Sequence, residues 1–140
     1  MLNGITTRLR IALVAEQRST YLGLGFTNEE CAALTHDGEI KAVAGTLETL
    51  GHEVTLVPGV SSLVEHLAAG TYKKWDLVFN MAQGFHGPAR EAHVPALLEA
   101  YSIPFTFSDA ATMALCQNKG NTKVSATNMH ICCRCTYKSQ

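Results

Sequence analysis

The sequence has little charge of either sign, no long hydrophobic run and no segment typical of export. Asp and Glu together number 12 and Lys and Arg number 11, which leaves a formal net charge of -1. This balance lacks the basic surface that nucleic acid requires, so we expect no nucleic acid partner. No apolar run approaches the length of a membrane-spanning helix, and the first residues lack the charged and apolar segments of a signal peptide. We therefore expect a cytoplasmic protein without membrane partners.

The cysteines are too irregularly spaced to indicate disulfides or a zinc site. They number five, an odd count, and three of them fall within the last nine residues, which argues against a secreted disulfide framework. His130 precedes Cys132, Cys133 and Cys135, but zinc-binding cysteine pairs usually have about two to four residues between them. We predict no metal site and interpret these residues as free thiols.

The remaining composition is that of one globular domain. Hydrophobic residues make up 46% and charged residues 16% of the 140 residues, which favours a single packed core over disorder. A Gly-x-Gly-x-x-Gly turn is absent after the first apolar run, so the phosphate-binding turn of dinucleotide-binding domains is missing. No spacing indicates a Ser–His–acid or Cys–His–acid arrangement, and we predict no catalytic residue in this chain.

Short apolar runs alternate with amphipathic segments along the chain. Strands are predicted at about residues 9–15, 53–57, 77–79 and 105–107, and helices at about 37–50, 62–70, 94–101 and 109–115. Asp37 is a predicted N-cap, Ser62 and Glu65 have the spacing of a capping box, and Ser108 or Asp109 caps the last helix. Alternation of this kind implies right-handed crossovers. We predict a three-layer, Rossmann-like α/β domain with a parallel sheet of about four strands.

The polar loop after the third predicted strand is the best candidate for a binding site. Leu77, Val78 and Phe79 form a buried run that stops at Asn80, and residues 81–92 then bring glycine, proline and polar side chains before the next helix. Ligands of parallel α/β sheets bind at the carboxyl ends of the strands, where this loop is expected to lie. The long segment from residue 16 to about 35 is also of the type that is functional or mobile.

Several motifs in this half of the chain resemble a known family. They are Asp76-Leu-Val-Phe-Asn, Gln83-Gly, Val94-Pro-Ala-Leu-Leu-Glu-Ala-Tyr-Ser-Ile-Pro-Phe and the stretch from Ser108 to Lys123. In order and spacing they are similar to the N-terminal, pre-ATP-grasp domain of D-alanine–D-alanine ligases and their ATP-grasp relatives, most of all to a less characterised ligase-like branch. The resemblance covers about residues 8–123, which we interpret as one domain.

The resemblance implies an amino acid ligand and a set of binding residues. The substrate-binding positions would be Gln83, Gly84, Arg90 and Glu91, and Lys119 falls where the family has a lysine that reaches nucleotide phosphate. The full-length family uses ATP and Mg²⁺, but no cofactor is expected in this chain alone. In the ligases a glutamate also meets the substrate amine, and a list of three residues stays open for that role: Glu16, Glu29 and Glu30.

Each candidate has a simpler structural interpretation. Arg90 and Glu91 suit the exposed start of a helix, where the helix dipole favours Glu91. His86 and His93 are more readily explained as ordinary loop and helix residues, and Lys119 as a solvated cation. Cys31 and Cys116 are expected to be small apolar or loop residues rather than nucleophiles.

Three functions are consistent with the sequence. The first is the substrate-side domain of a ligase-like ATP-grasp protein, inactive alone. The second is a dimerisation or interaction module, which would form a homodimer or bind a full-length relative. The third, a stand-alone enzyme with a flavodoxin-like fold, ranks last because it lacks a phosphate loop and a nucleophile.

The last residues depart from the family pattern. Residues 124–140 are polar and cysteine-rich, with neither helical nor alternating periodicity. We predict an atypical tail that is mobile or held only by a partner chain, because it offers little apolar surface to offset the entropy of ordering.

Overall fold

The computed structural model describes residues 7–128 and contains a small parallel sheet with helices on both faces. The strands are β1 (Arg10–Val14), β2 (Glu53–Val57) and β3 (Leu77–Asn80), in the order β2-β1-β3. The helices are α1 (Arg18–Gly23), α2 (Asp37–Thr49), α3 (Gly59–Ala68), α4 (His93–Ala100), α5 (Ala110–Gln117) and α6 (Lys119–Asn128). Short 3-10 helices cover Thr71–Lys74 and Arg90–Ala92. The predicted α/β class with a parallel sheet is confirmed.

The central strand β1 carries the core because it has a neighbour on each side. Ala12 lies opposite Thr55 of β2 and Val78 of β3 in a parallel register. Successive side chains of a strand point to opposite faces, so the all-apolar run after Arg10 serves two cores at once. Every residue of β1 beyond Arg10 is buried.

The two faces of the sheet are covered by different helices. Ala12 and Val14 pack in one cluster with Leu63 of α3 and Leu98 of α4. On the other face, Leu13 and Ala15 pack in a second buried cluster with Ile40 of α2. Val43 and Ala44 of α2 pack beside Ile40, so one face of this amphipathic helix covers the sheet. Within residues 7–128, no helix combines the length and hydrophobicity needed to cross a membrane.

The predicted fourth strand is reduced to a single bridge. Phe105 forms one parallel bridge with Val78, and the Thr106 N–H donates to the Val78 carbonyl. Phe107 then takes a φ of 74°, which lies in the left-handed region and ends the extended backbone. The sheet described in residues 7–128 thus has three strands rather than about four.

Two predicted helix caps are wrong and one is confirmed. Helix α3 begins at Gly59, after Pro58, so Ser62 lies inside the helix instead of capping it. Asp37 is the first residue of α2, and its carboxylate accepts the Ser19 N–H instead of capping its own helix. The cap of α5 is as predicted, since Asp109 accepts the Thr112 N–H at 2.8 Å.

Two helices occupy segments in which the sequence pattern favoured irregular structure. Helix α1 lies within the long polar segment after β1, and α6 forms although Gly120 and Asn121 weaken helices. The start of α6 is stabilised locally because Asn118 Oδ1 accepts the Asn121 N–H at 3.0 Å. The predicted boundary at residue 123 falls inside α6. Residues 129–140, with His130 and the three tail cysteines, lie outside the described residues.

An ion pair joins the starts of β1 and β3. The Asp76 carboxylate accepts hydrogen bonds from the Arg10 side chain, Nη2 at 2.7 Å and Nε at 3.0 Å, and from the Arg10 backbone N–H at 2.8 Å. These bonds lower the pKa of Asp76 from 3.8 to about 2, the side-chain bonds having the largest effect. The pair is partly exposed, with 50% of the Arg10 and 34% of the Asp76 side chain accessible.

We expect an Asp76→Asn substitution to lower stability in a pH-dependent way. Because the folded-state pKa is depressed, the carboxylate stabilises the fold above about pH 4, and this contribution disappears as the pH falls towards 2. Urea unfolding midpoints of the wild type and the variant should therefore differ at pH 6 and converge near pH 2. A Glu53→Gln control removes the exposed 3.4 Å contact with Arg8 and a weaker charge attraction to Arg10, and it should change the midpoint less. An equal difference at every pH would contradict this account.

Candidate functional site

Polar groups collect where β1 and β3 end, at the same edge of the parallel sheet. Glu16 follows β1 after a single residue, and Asn80 is the last residue of β3. Both are buried, at 1% and 4% exposure. Buried polar side chains need hydrogen-bond partners, and the partners of these two are the backbone of the loop after β3.

Asn80 fixes the beginning of this loop. Its Oδ1 atom accepts the Ala82 N–H at 3.1 Å, a local bond that turns the chain away from the strand. Its own N–H donates to Thr106 Oγ1 at 3.1 Å. The side chain is thus held at the carboxyl end of β3, facing the space between this strand and α2.

Glu16 fixes the next two residues. Its Oε2 atom accepts the N–H of Gln83 at 2.9 Å and that of Gly84 at 3.3 Å, across 67 and 68 positions of sequence. Gly84 itself has a φ of 65°, and a Cβ atom there would lie 2.4 Å from the Arg90 carbonyl oxygen. The loop therefore closes on itself at Gly84, where only glycine fits without a shift of the backbone.

The first cavity at this edge, which we call the Gln83 cavity, has a volume of about 330 Å³. It is lined by Thr35, Glu39, Asn80, Met81, Ala82, Gln83, Glu91, Phe107 and Met113. Two lining residues carry carboxylates, and none of the described lining residues is Lys, Arg or His. Such a lining favours a ligand that brings positive charge and hydrogen-bond donors.

The apolar wall of the Gln83 cavity is accessible to solvent. Phe107 is 69% exposed and packs edge-to-face on Phe79, with ring centroids 5.6 Å apart. Its φ of 74° turns the ring out of the extended segment, a backbone strain of the kind that is found at functional sites. Met81 and Met113 complete this wall.

A second cavity of about 190 Å³, which we call the Glu16 cavity, is lined in part by Phe85 and His86 of the same loop. It is lined by Glu16, Tyr21, Val60, Ser61, Phe85, His86 and His93. The rings of Tyr21 and Phe85 stack with centroids 4.6 Å apart. Burial raises the pKa of the Tyr21 hydroxyl, and the nearby charge of Glu16 acts in the same direction.

The structure brings some predicted site residues together and separates others. Gln83 and Glu91 line the same cavity. Gly84 and Arg90 are in contact but line neither cavity, and the buried Nε atom of Arg90 has no hydrogen-bond partner in the described residues. Lys119 is exposed at the start of α6 and lies in neither cavity.

None of the three glutamates that are candidates for contact with a substrate amine lines the Gln83 cavity. Glu16 faces the other cavity, while Glu29 and Glu30 are exposed, with Glu30 accepting bonds from Thr27. The carboxylates that accompany Gln83 belong to Glu39 and Glu91. Glu39 was missed because it reads as an ordinary acidic residue of a helix first turn. A sequence-based prediction could have found Glu39 only from its place in a helix that packs beside the end of β3.

Comparisons with known proteins place this α/β domain among ligase relatives. No family model matches the chain. It is 31% identical over 99 residues to a D-alanine–D-alanine ligase of Xanthomonas axonopodis pv. citri. The aligned region covers 71% of this chain and 29% of that ligase. A D-alanine–D-alanine ligase of Bartonella tribocorum is 30% identical over 112 residues, 77% of this chain and 33% of the ligase.

A further relative is the uncharacterized protein y4sG of Sinorhizobium fredii, 32% identical over 83 residues. These matches cover 56% to 77% of this chain and 25% to 33% of the relatives. The chain is thus related by sequence to D-alanine–D-alanine ligases, and it spans about a third of the length of the curated relatives that it matches.

We expect two glycine-to-alanine substitutions to have opposite effects on stability. Gly84→Ala should destabilise the fold by about 1–3 kcal/mol, because a side chain meets the Arg90 carbonyl in a strained backbone region. Gly45→Ala in α2 should stabilise it by about 0.5–1 kcal/mol, because nothing lies within 4 Å of the new Cβ and alanine is the better helix former. Chemical unfolding measures both. A stable Gly84→Ala protein would contradict the closed loop.

Proposed function

We propose that this chain is the amino-acid-binding, N-terminal domain of a D-alanine–D-alanine ligase-like protein and has no ligase activity by itself. The observation that supports this most is the Gln83 cavity, in which Glu39 and Glu91 accompany a residue that the resemblance assigns to substrate binding. The cavity also lies at the edge of the sheet where ligands of parallel α/β domains bind.

The chemistry of the cavity suits the amino end of an amino acid. An ammonium group offers three donors and a positive charge, which two carboxylates would accept. Asn80 adds a donor, because its amide nitrogen makes no hydrogen bond within the described residues. Since no cationic side chain lines the cavity, the substrate carboxylate would be met by groups elsewhere in a full-length ligase.

The described residues do not fit ATP and Mg²⁺, the cofactors of the full-length family. Lys119 is exposed and lies apart from both cavities. Within residues 7–128 no three His, Cys, Asp or Glu are grouped closely enough to hold a metal ion. Phosphoryl transfer requires phosphate-gripping groups and bound metal, so we assign no step of it to this chain.

Titration with D-alanine tests this proposal. We expect saturable shifts of the amide resonances around the Gln83 cavity, and affinity reduced at least about tenfold in Glu39→Gln and in Glu91→Gln, because each removes a charged acceptor. N-acetyl-D-alanine, which has no ammonium group, should bind to the wild type no more tightly than D-alanine binds to these two variants. D-alanine should not stimulate phosphate release from ATP.

The matched control is Glu48→Gln, which neutralises an exposed carboxylate of the same helix outside the cavity. It should bind D-alanine like the wild type. Equal affinity in all three variants, or equal binding of the acetylated compound, would refute the proposal. ATP-dependent joining of D-alanine by this chain would refute its inactivity.

A further inference from the structure

The Gln83 cavity has an apolar wall that the binding of an ammonium group does not use. Glu39 and Glu91 supply its charged groups, whereas Met81, Phe107 and Met113 face the same space. The Phe107 side chain is the largest of this wall, and the residue is 69% exposed. Small-molecule sites combine an apolar lining with a few polar groups that fix the orientation of the ligand. The wall is therefore available for an apolar part of the ligand.

The backbone on both sides of Phe107 holds its ring at the cavity. On one side, the Thr106 N–H donates to a β3 carbonyl at 3.0 Å, and its Oγ1 atom accepts the Asn80 N–H at 3.1 Å. On the other side, the Asp109 side chain caps α5. Between these anchors Phe107 has a φ of 74°, which is unfavourable for a residue with a side chain and persists only where the surrounding structure imposes it. The fold thus fixes the ring in an exposed position.

The size of the cavity exceeds what D-alanine would fill. Its volume of about 330 Å³ lies within the range of about 300–1,000 Å³ that is usual for small-molecule sites. D-alanine has only a methyl group as its side chain, so it would leave most of the apolar wall uncovered. Met81 and Met113 are half-buried, and the flexible methionine side chain adapts to ligands of different shape. Volume and wall both fit a larger side chain.

We propose that the Gln83 cavity prefers an amino acid with a large apolar side chain, of about the size of leucine, and that Phe107 sets this preference. The ammonium group would meet Glu39 or Glu91, and the side chain would lie against Phe107, Met81 and Met113. This inference rests on the proposed amino-acid-binding function and narrows its class of substrate.

The expected preference follows from the apolar surface that the ligand buries. Each fully buried methylene group raises affinity about fourfold. D-leucine is larger than D-alanine by an isopropyl group, but the ring of Phe107 is largely exposed, so burial of this group is incomplete. We therefore expect D-leucine to bind about tenfold more tightly than D-alanine.

Titration of the 140-residue chain with D-leucine, D-alanine and D-asparagine, followed by the amide resonances around the Gln83 cavity, tests the preference. D-asparagine has nearly the shape of D-leucine but ends in a polar amide, so it separates apolar contact from size. Both D-alanine and D-asparagine should bind about tenfold more weakly than D-leucine. Affinity for D-leucine no greater than for either of the other two amino acids would overturn the inference.

Two wall variants and a matched control identify the residues responsible. Phe107→Gly removes the ring and adopts the positive φ without strain, and it should remove most of the preference for D-leucine. Met113→Gln makes the wall more polar from α5, keeps the test independent of how Phe107→Gly folds, and should lower the preference at least about threefold. Leu24→Ala alters a residue that is 70% exposed and outside the cavity, and it should retain the preference. An unchanged preference in either folded wall variant would overturn the role of the wall.

The same titrations separate this inference from the proposed function. Binding of D-alanine that depends on Glu39 and Glu91, without any preference for D-leucine, would overturn the inference and leave the proposed function in place. Preferential binding of D-leucine that is unaffected by Glu39→Gln and by Glu91→Gln would support the apolar wall and refute the proposed function. No binding of any of the three amino acids would refute both.

Discussion

The hydrogen bonds from Glu16 Oε2 to the backbone of Gln83 and Gly84 are the contacts on which the site depends. They join the end of β1 to the loop after β3 and give that loop one conformation. Gln83 lines one cavity and Phe85, two residues later, lines the other, so these bonds fix a loop that contributes to both cavities. A buried acceptor that satisfies two backbone donors is a strong local constraint, since leaving the donors unpaired would cost the fold their desolvation.

The two cavities that result differ in what they offer. The Gln83 cavity is wide, with two carboxylates, an amide donor and an exposed aromatic wall. The Glu16 cavity is smaller, with one buried carboxylate and stacked aromatic rings. Both favour positive charge, and neither is lined by a described Lys or Arg. Under the proposed function, a domain that spans about a third of its ligase relatives would leave the binding of substrate carboxylate and phosphate to the remainder of a full-length ligase.

Local patterns were sufficient for the elements whose burial follows from periodicity. Strand β1 was predictable because a short, continuous apolar run suits a strand buried on both faces, and α2 because its apolar residues recur at the period of a helix. The Asp109 cap was predictable because Asp109 and Thr112 are only three positions apart in sequence. The prediction of a fourth strand was wrong because Phe107 has a left-handed φ, which an apolar sequence pattern does not reveal. Helix α6 escaped prediction because Asn118 offsets the poor propensity of the residues after it.

The candidate site was predictable only as a loop. Its position after a buried strand pointed to the loop, and the family resemblance pointed to Gln83 and Glu91 within it. Glu39 reaches the same cavity from a helix more than 40 positions earlier in sequence. The role of Glu16 rests on bonds across 67 and 68 positions, which one sequence cannot reveal. Contacts of this separation are decided by the packing of the whole sheet rather than by local preference.

A crystal structure of the chain grown with D-alanine tests the central claim most directly. The account predicts one amino acid in the Gln83 cavity, with its nitrogen within about 3 Å of a carboxylate oxygen of Glu39 or Glu91, and the Gln83–Gly84 backbone still bonded to Glu16. D-alanine bound elsewhere on the domain, or a loop released from Glu16 when the ligand is present, would contradict it.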